Sequence, residues 1–181
     1  MRGALAGATI ALTLVLSGCA LPIGFSVDDD ASVEPKAEEL VVPDRFTIIP
    51  DEWQAANVGR LGDGRHYFLT ADFTTSQLYI SVYYWKVDGS FDEADITPLG
   101  DADEFDGAQL DRAIDQRRAK LDRPTIEAVT VEPFGVEHDG VQFGFVASGP
   151  AADGYEVASV SHLPNDDMVY YWPWDGEGYD T

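Results

Sequence analysis

The sequence predicts an α+β domain, an antiparallel sheet of about six strands with one main helix packed on one face. Three observations carry this expectation. Apolar residues alternate with period two through residues 65–73, 78–87 and 141–148. The period changes once, to helical spacing, between Asp106 and Pro124. Turn signals at Asp63-Gly64, Asp88-Gly89 and Asp139-Gly140 separate the extended stretches.

Phe46-Thr47-Ile48-Ile49-Pro50 reads as a first short strand leading into Glu52-Trp53. Aromatic and β-branched side chains suit a pleated surface, and Pro50 cannot donate to a ladder. In 65–73, Tyr67, Leu69, Ala71 and Phe73 share one face, with His66, Thr70 and Asp72 largely on the other. The clearest strand is 78–87, where Leu78, Ile80, Val82 and Tyr84 alternate with Tyr79, Ser81, Tyr83 and Trp85. Asp106 with Gln109 three residues on forms a capping box. Leu110, Ala113, Ile114 and Leu121 then make one helical stripe, Arg117, Arg118 and Lys120 complement the C-terminal dipole, and Pro124 stops the helix. Residues 126–134 are rich in β-branched side chains, and Asp139-Gly140 turns the chain into 141–148. Two last strands, 155–163 and 168–172, flank Pro164-Asn165-Asp166-Asp167. Residues 173–181 are rich in Gly and acids and read as a flexible acidic tail.

The N-terminus has another character. Arg2 precedes an uncharged apolar run through residues 4–16, and Leu16-Ser17-Gly18-Cys19 follows. This arrangement resembles the lipobox of a bacterial lipoprotein signal peptide, an aliphatic residue and two small ones before the cysteine that is lipidated. The resemblance implies removal of residues 1–18, acylation of Cys19, and a lipid-anchored protein on the extracytoplasmic face of the cell membrane. A spanning helix needs about 20 apolar residues, whereas this run ends by Pro22 and meets Asp28-Asp29-Asp30. Cys19 is the single cysteine, so no intramolecular disulfide and no cysteine-based metal site can form. Residues 19–43 are small, acidic and punctuated by proline, the composition of a disordered tether. The folded domain is therefore expected at 44–172.

That domain resembles the PsbP-like fold of small actinobacterial-type envelope lipoproteins. The resemblance rests on Phe46-Thr47-Ile48-Ile49-Pro50-Asp51-Glu52-Trp53, the strand at 78–87, the helix, the Asp139-Gly140 hairpin and the closing Tyr170-Tyr171-Trp172. A cystatin-like sheet and helix is the alternative. No catalytic set is shared across PsbP-like domains, so the resemblance implies no active-site residues.

Charge narrows the partners. With 33 acidic against 11 basic side chains, the formal net charge is −22. Such a surface is repelled by nucleic acids and anionic lipid headgroups. Membrane attachment then falls to the acyl chains, of which two or more are needed for stable anchoring.

Catalytic signatures are weak. The chain has no Gly-x-Ser-x-Gly elbow and no His-Glu-x-x-His. His66, His138 and His162 lie far apart and read as unrelated strand or turn residues. Counted as a calcium loop from Asp101, Phe105 falls at the fifth position and Arg112 at the twelfth, where acids are required. Asp166-Asp167 reads as a solvated loop. No cofactor, metal site or catalytic residue is assigned, and an irregular calcium site in the Asp-rich loops stays open as an alternative.

One row invites a binding role. If Leu78, Ile80 and Val82 face the helix, then Tyr79, Tyr83 and Trp85 lie on the opposite face, either covered by loops and the tail or open as a candidate ligand face. The function expected is a monomeric, non-enzymatic binding or accessory module at the envelope, meeting a protein or a glycan. The alternative is a hydrolase or metal-dependent enzyme using Asp-rich loops.

Overall fold

The computed structural model describes residues 37–150, 157–177 and 179–180. The leader, Cys19 and most of the tether lie outside these residues.

The described strands are β1 (Phe46–Ile48), β2 (Val58–Arg60), β3 (His66–Phe73), β4 (Gln77–Trp85), β5 (Phe91–Asp101), β6 (Thr125–Ile126), β7 (Val129–Val131), β8 (Val136–His138), β9 (Val141–Ser148), β10 (Ser159–Leu163), β11 (Val169–Tyr170) and β12 (Tyr179–Asp180). One α-helix, α1 (Gly107–Arg118), lies between β5 and β6. The strands form two five-stranded antiparallel sheets, in the orders β5-β4-β3-β2-β6 and β12-β11-β10-β9-β8, and a separate β1-β7 ladder. The α+β class holds, but a single sheet of six strands does not.

The reason lies in β3 and β4, which are apolar on both faces. Toward α1 they present Tyr67, Leu69, Ile80 and Val82, packed with Leu61 and with Leu110, Ala113, Ile114 and Leu121 from the helical segment. Toward the second sheet they present Phe68, Tyr79, Tyr83 and Trp85, which join Phe143, Phe145, Val160 and Tyr170 in the larger core. The β1-β7 ladder adds Phe46, Ile48, Val129 and Val131 to that core. A sheet with two apolar faces must be covered twice. The row of Tyr79, Tyr83 and Trp85 is accordingly buried, with ring contacts of 5.1 Å from Tyr79 to Phe143 and 5.4 Å from Trp85 to Phe134. It is not an open ligand face, and its cover is the second sheet and the 134 region.

The helix follows its sequence signals closely. The Asp106 side chain accepts from the Gln109 N–H, and the Gln109 side chain accepts from the Asp106 N–H, both at 2.8 Å. Regular helix ends at Arg118, and turns carry the chain on through Leu121 toward Pro124. The hairpin between β8 and β9 also forms as expected, with φ positive at both Asp139 and Gly140.

Strand β5 was not legible. It is the longest strand at 11 residues, yet it carries Asp92, Glu93, Asp95 and Pro98. These residues suit an edge position, where charge and proline oppose pairing with another chain. Residues 126–134 are not one strand: Ile126 pairs in the first sheet, and Val129–Val131 pairs with β1.

Both ends of the domain extend beyond 44–172. Residues 37–40 form a 3-10 turn, and the Ala158 N–H donates to the Glu39 carbonyl at 2.8 Å. At the other end β12 pairs with β11, and the Tyr179 ring stacks on Tyr170 at 5.2 Å. The Thr47 N–H donates to the Trp174 carbonyl at 2.8 Å. Within the expected tail of 173–181, Tyr179–Asp180 is thus a strand of the second sheet. Asp175 and Gly176 lie in the turn that precedes it.

Trp85→Ala should cost about 3–5 kcal/mol in a denaturant titration, because it deletes a buried ring and frees the Glu132 carbonyl that accepts from the indole N–H at 2.9 Å. A loss below about 1 kcal/mol would contradict the burial.

Candidate binding groove and its buried charge cluster

Antiparallel pairing of β3 with β4 sets Asp72 and Tyr83 on the same inward face. The Tyr83 hydroxyl donates to Asp72 Oδ2 at 2.7 Å. Strand β10 alternates Val160 and His162 inward, so the imidazole enters the same core from the second sheet. Phe68, Tyr83 and Phe145 surround the ring, with centroids 5.6, 6.2 and 4.9 Å away.

Two carboxylates meet this buried imidazole. Asp167 Oδ1 lies 2.8 Å from Nδ1, and Asp72 Oδ1 lies 3.3 Å from Nε2. The second contact is longer and out of line for a good hydrogen bond. Burial alone pushes the His162 pKa down, but the hydrogen bond to Asp167 and the pairing with Asp72 outweigh it and raise the value to about 9. Burial pushes Asp167 up, and the bonds from His162 and Asn165 with the imidazolium charge bring it below the ordinary carboxylate value. Burial, followed by the Asp72 charge, raises Tyr83 well above the usual phenol range.

The turn after β10 is stitched to the end of β3. The His162 N–H donates to the Met168 carbonyl at 2.9 Å, and its own carbonyl accepts from the Asp166 N–H at 2.7 Å. Asn165 Nδ2 donates to the Ala71 carbonyl and to Asp167 Oδ2, both at 3.1 Å. Its Oδ1 accepts from the Phe73 N–H at 2.6 Å. Asp166 is exposed, as a solvated loop residue should be. Asp167 is not, because its side chain is only 30% exposed and bonded to the imidazole.

Above this turn lies an open groove of about 630 Å³. Its wall runs from Glu52, Trp53 and Asn57 across Leu69 and Phe73 to Ile114, Pro164, Asn165 and Asp167. Trp53 is 81% exposed and Phe73 is 42% exposed, so two aromatic faces stand in the opening. Asp167 belongs to both the groove and the buried cluster.

No protein-family model, curated protein or solved structure matches this chain.

The sequence-derived residues divide clearly. Cys19 lies outside the described residues. Tyr83 enters the cluster through its hydroxyl, whereas Tyr79 and Trp85 serve the aromatic core. His66, His138 and His162 do not converge, and among the described residues no group of three or more His, Cys, Asp or Glu could hold a metal ion. The carboxylates on His162 address different ring nitrogens, which suits an imidazolium better than a shared cation. Asp72, His162, Asp167 and Trp53 were missed. A readable signal existed in Asp72, an acid within a strand whose other residues are mostly apolar.

The pH dependence follows from the signs. His162 has a folded value above its ordinary value of 6.5, so its contribution is complete below about pH 6.5 and is lost as pH rises through about 9. Asp167 has a lowered value, so its contribution is present above about pH 3.8 and is lost as pH falls further. Stability should therefore peak between those limits and decline through pH 9. In Asp72→Asn, which removes one carboxylate from the imidazole, the alkaline decline should begin at lower pH. Denaturant titrations across pH for both proteins check this, and coincident alkaline limbs would contradict the pairing.

Proposed function

We propose that the protein is an exported lipoprotein, anchored through Cys19 on the extracytoplasmic face of the cell membrane, that acts as a non-enzymatic binding module through the groove at Trp53 and Asp167. Its partners on this reading are the membrane, through the acyl chains, and an envelope protein or glycan. The anchor rests on Leu16-Ser17-Gly18-Cys19 after an uncharged apolar run. Among the described residues no helix is long and apolar enough to cross a membrane. The observation that carries the binding role is the groove itself, a concave opening with Trp53 81% exposed beside a fixed carboxylate. A large indole held in water at the mouth of a cavity costs solvation unless a partner covers it.

Catalysis would need a side chain free to exchange protons with a substrate. His162 has no exposed surface, and each ring nitrogen faces a carboxylate. Its role is to hold the turn that forms one wall of the groove. A PsbP-like relationship belongs to the same proposal. The helix lying across β3 and β4 counts in its favour, and the second five-stranded sheet, which the resemblance did not require, counts against it.

Metabolic labelling with a fatty-acid analogue should mark the wild-type chain and leave Cys19→Ala unlabelled and released from membranes. Labelling that survives the substitution would contradict the anchor. For the groove, binding of the purified chain to isolated envelope material should fall in Trp53→Ala, with folded stability within about 0.5 kcal/mol of wild type. Undiminished binding would place the contact elsewhere.

A further inference from the structure

This inference rests on the reading of the groove as a binding site and names what it takes. Asp72 and Asp167 lie on opposite nitrogens of the His162 ring, at 3.3 and 2.8 Å. Asp72 and His162 are fully buried, which leaves Asp167 as the member of the trio that reaches the groove. Both Asn165 amide hydrogens are spent, on Ala71 and Asp167, and its oxygen already accepts from Phe73. Asp167 Oδ1 takes the bond from His162 and Oδ2 the bond from Asn165. The Asn165 side chain therefore has no amide hydrogen left for a ligand. Glu52 adds a carboxylate at the rim, and the lining residues include no Lys or Arg. The guanidinium of Arg118, which reaches Asn57, is held by Asp115 at 2.6 Å.

Trp53 and Phe73 add exposed ring faces, and Leu69, Ile114 and Pro164 add apolar surface. Gln54, Asn57 and Thr70 also line the groove and can donate as well as accept, but the charges in its lining are the carboxylates of Glu52 and Asp167, which repel an anion. A cation gains from the carboxylates and from the negative faces of the rings together. The volume of about 630 Å³ falls within the range of small-molecule pockets.

We propose that the groove between Trp53 and the Asn165–Asp167 turn binds a small alkylammonium ion, its charged head against Asp167 and Glu52 and its carbon body against Trp53 and Phe73. The ammonium head is the recognised chemistry, whether it comes from a free amine or from an amino sugar.

The test is isothermal titration calorimetry on the full chain in non-ionic detergent. The probes are choline, its uncharged isostere in which carbon replaces the quaternary nitrogen, glucosamine, and an N-acetylglucosamine oligomer. Choline should bind saturably, at least about tenfold more tightly than the isostere, and more weakly as salt rises. Trp53→Ala and Glu52→Gln, both at exposed positions, should each lower choline affinity without changing the melting temperature. Asp167→Asn should lower it by about tenfold. Tighter binding of glucosamine than of choline would support the proposal with an amino sugar as the source. Equal affinity for choline and the isostere would overturn it, as would choline binding indifferent to Trp53→Ala. Trp53-dependent binding of the N-acetylglucosamine oligomer without choline would overturn the cation and leave the binding module standing. Failure of every probe would overturn the inference and remove the groove's support from the module reading.

Discussion

Two strands buried on both faces govern this structure. β3 and β4 present apolar side chains toward α1 and, at alternate positions, toward a second sheet. Neither cover is sufficient alone, because each apolar face left in water would forfeit roughly 25 cal/mol for every Å² it fails to bury. The chain has one α-helix among its described residues, so strands must cover the other face. β8 to β12, aided by β1 and β7, supply that cover through Phe143, Phe145, Val160 and Tyr170. The chain has a single cysteine and cannot cross-link itself, so this layered core has to hold the fold without a disulfide.

The same layering creates the charge cluster. Asp72 on β3 and His162 on β10 both point into the layer between the sheets, where neither could remain charged alone. They persist because Asp167 and Tyr83 complete the set. Buried ion pairs are often no more stabilising than apolar residues of similar volume. Their value here is positional. Through Asp167 and Asn165 the cluster fixes the turn after β10 against the end of β3, and that junction is one wall of the groove. Core and candidate site are therefore mechanically continuous.

Much of the fold was legible because some segments carry local signals strong enough to survive tertiary context. The capping box at Asp106 and Gln109, the Asp139-Gly140 turn and the parity of β4 are of this kind. β5 was hidden because an edge strand is selected against looking like a strand. The second layer was hidden because alternation shows which residues share a face but not whether both faces are buried. Tyr79, Tyr83 and Trp85 were placed on the correct face, and only the cover over that face was missing. The site was hidden for a different reason. Asp72, His162 and Asp167 come from two strands and a turn, and residues 72 and 162 lie 90 positions apart, so no local spacing relates them. Trp53 was read as part of an opening motif, and sequence gave no measure of its exposure.

The central claim is that a charged imidazole, held between two carboxylates, sets the wall of the groove. The most direct measurement is ¹⁵N NMR of the His162 ring at neutral pH. The account predicts that both ring nitrogens carry protons, with similar shifts typical of an imidazolium, and that the protons exchange slowly with solvent because the ring is buried. A neutral ring with one bare nitrogen at that pH would contradict it, since neither carboxylate would then face a charge.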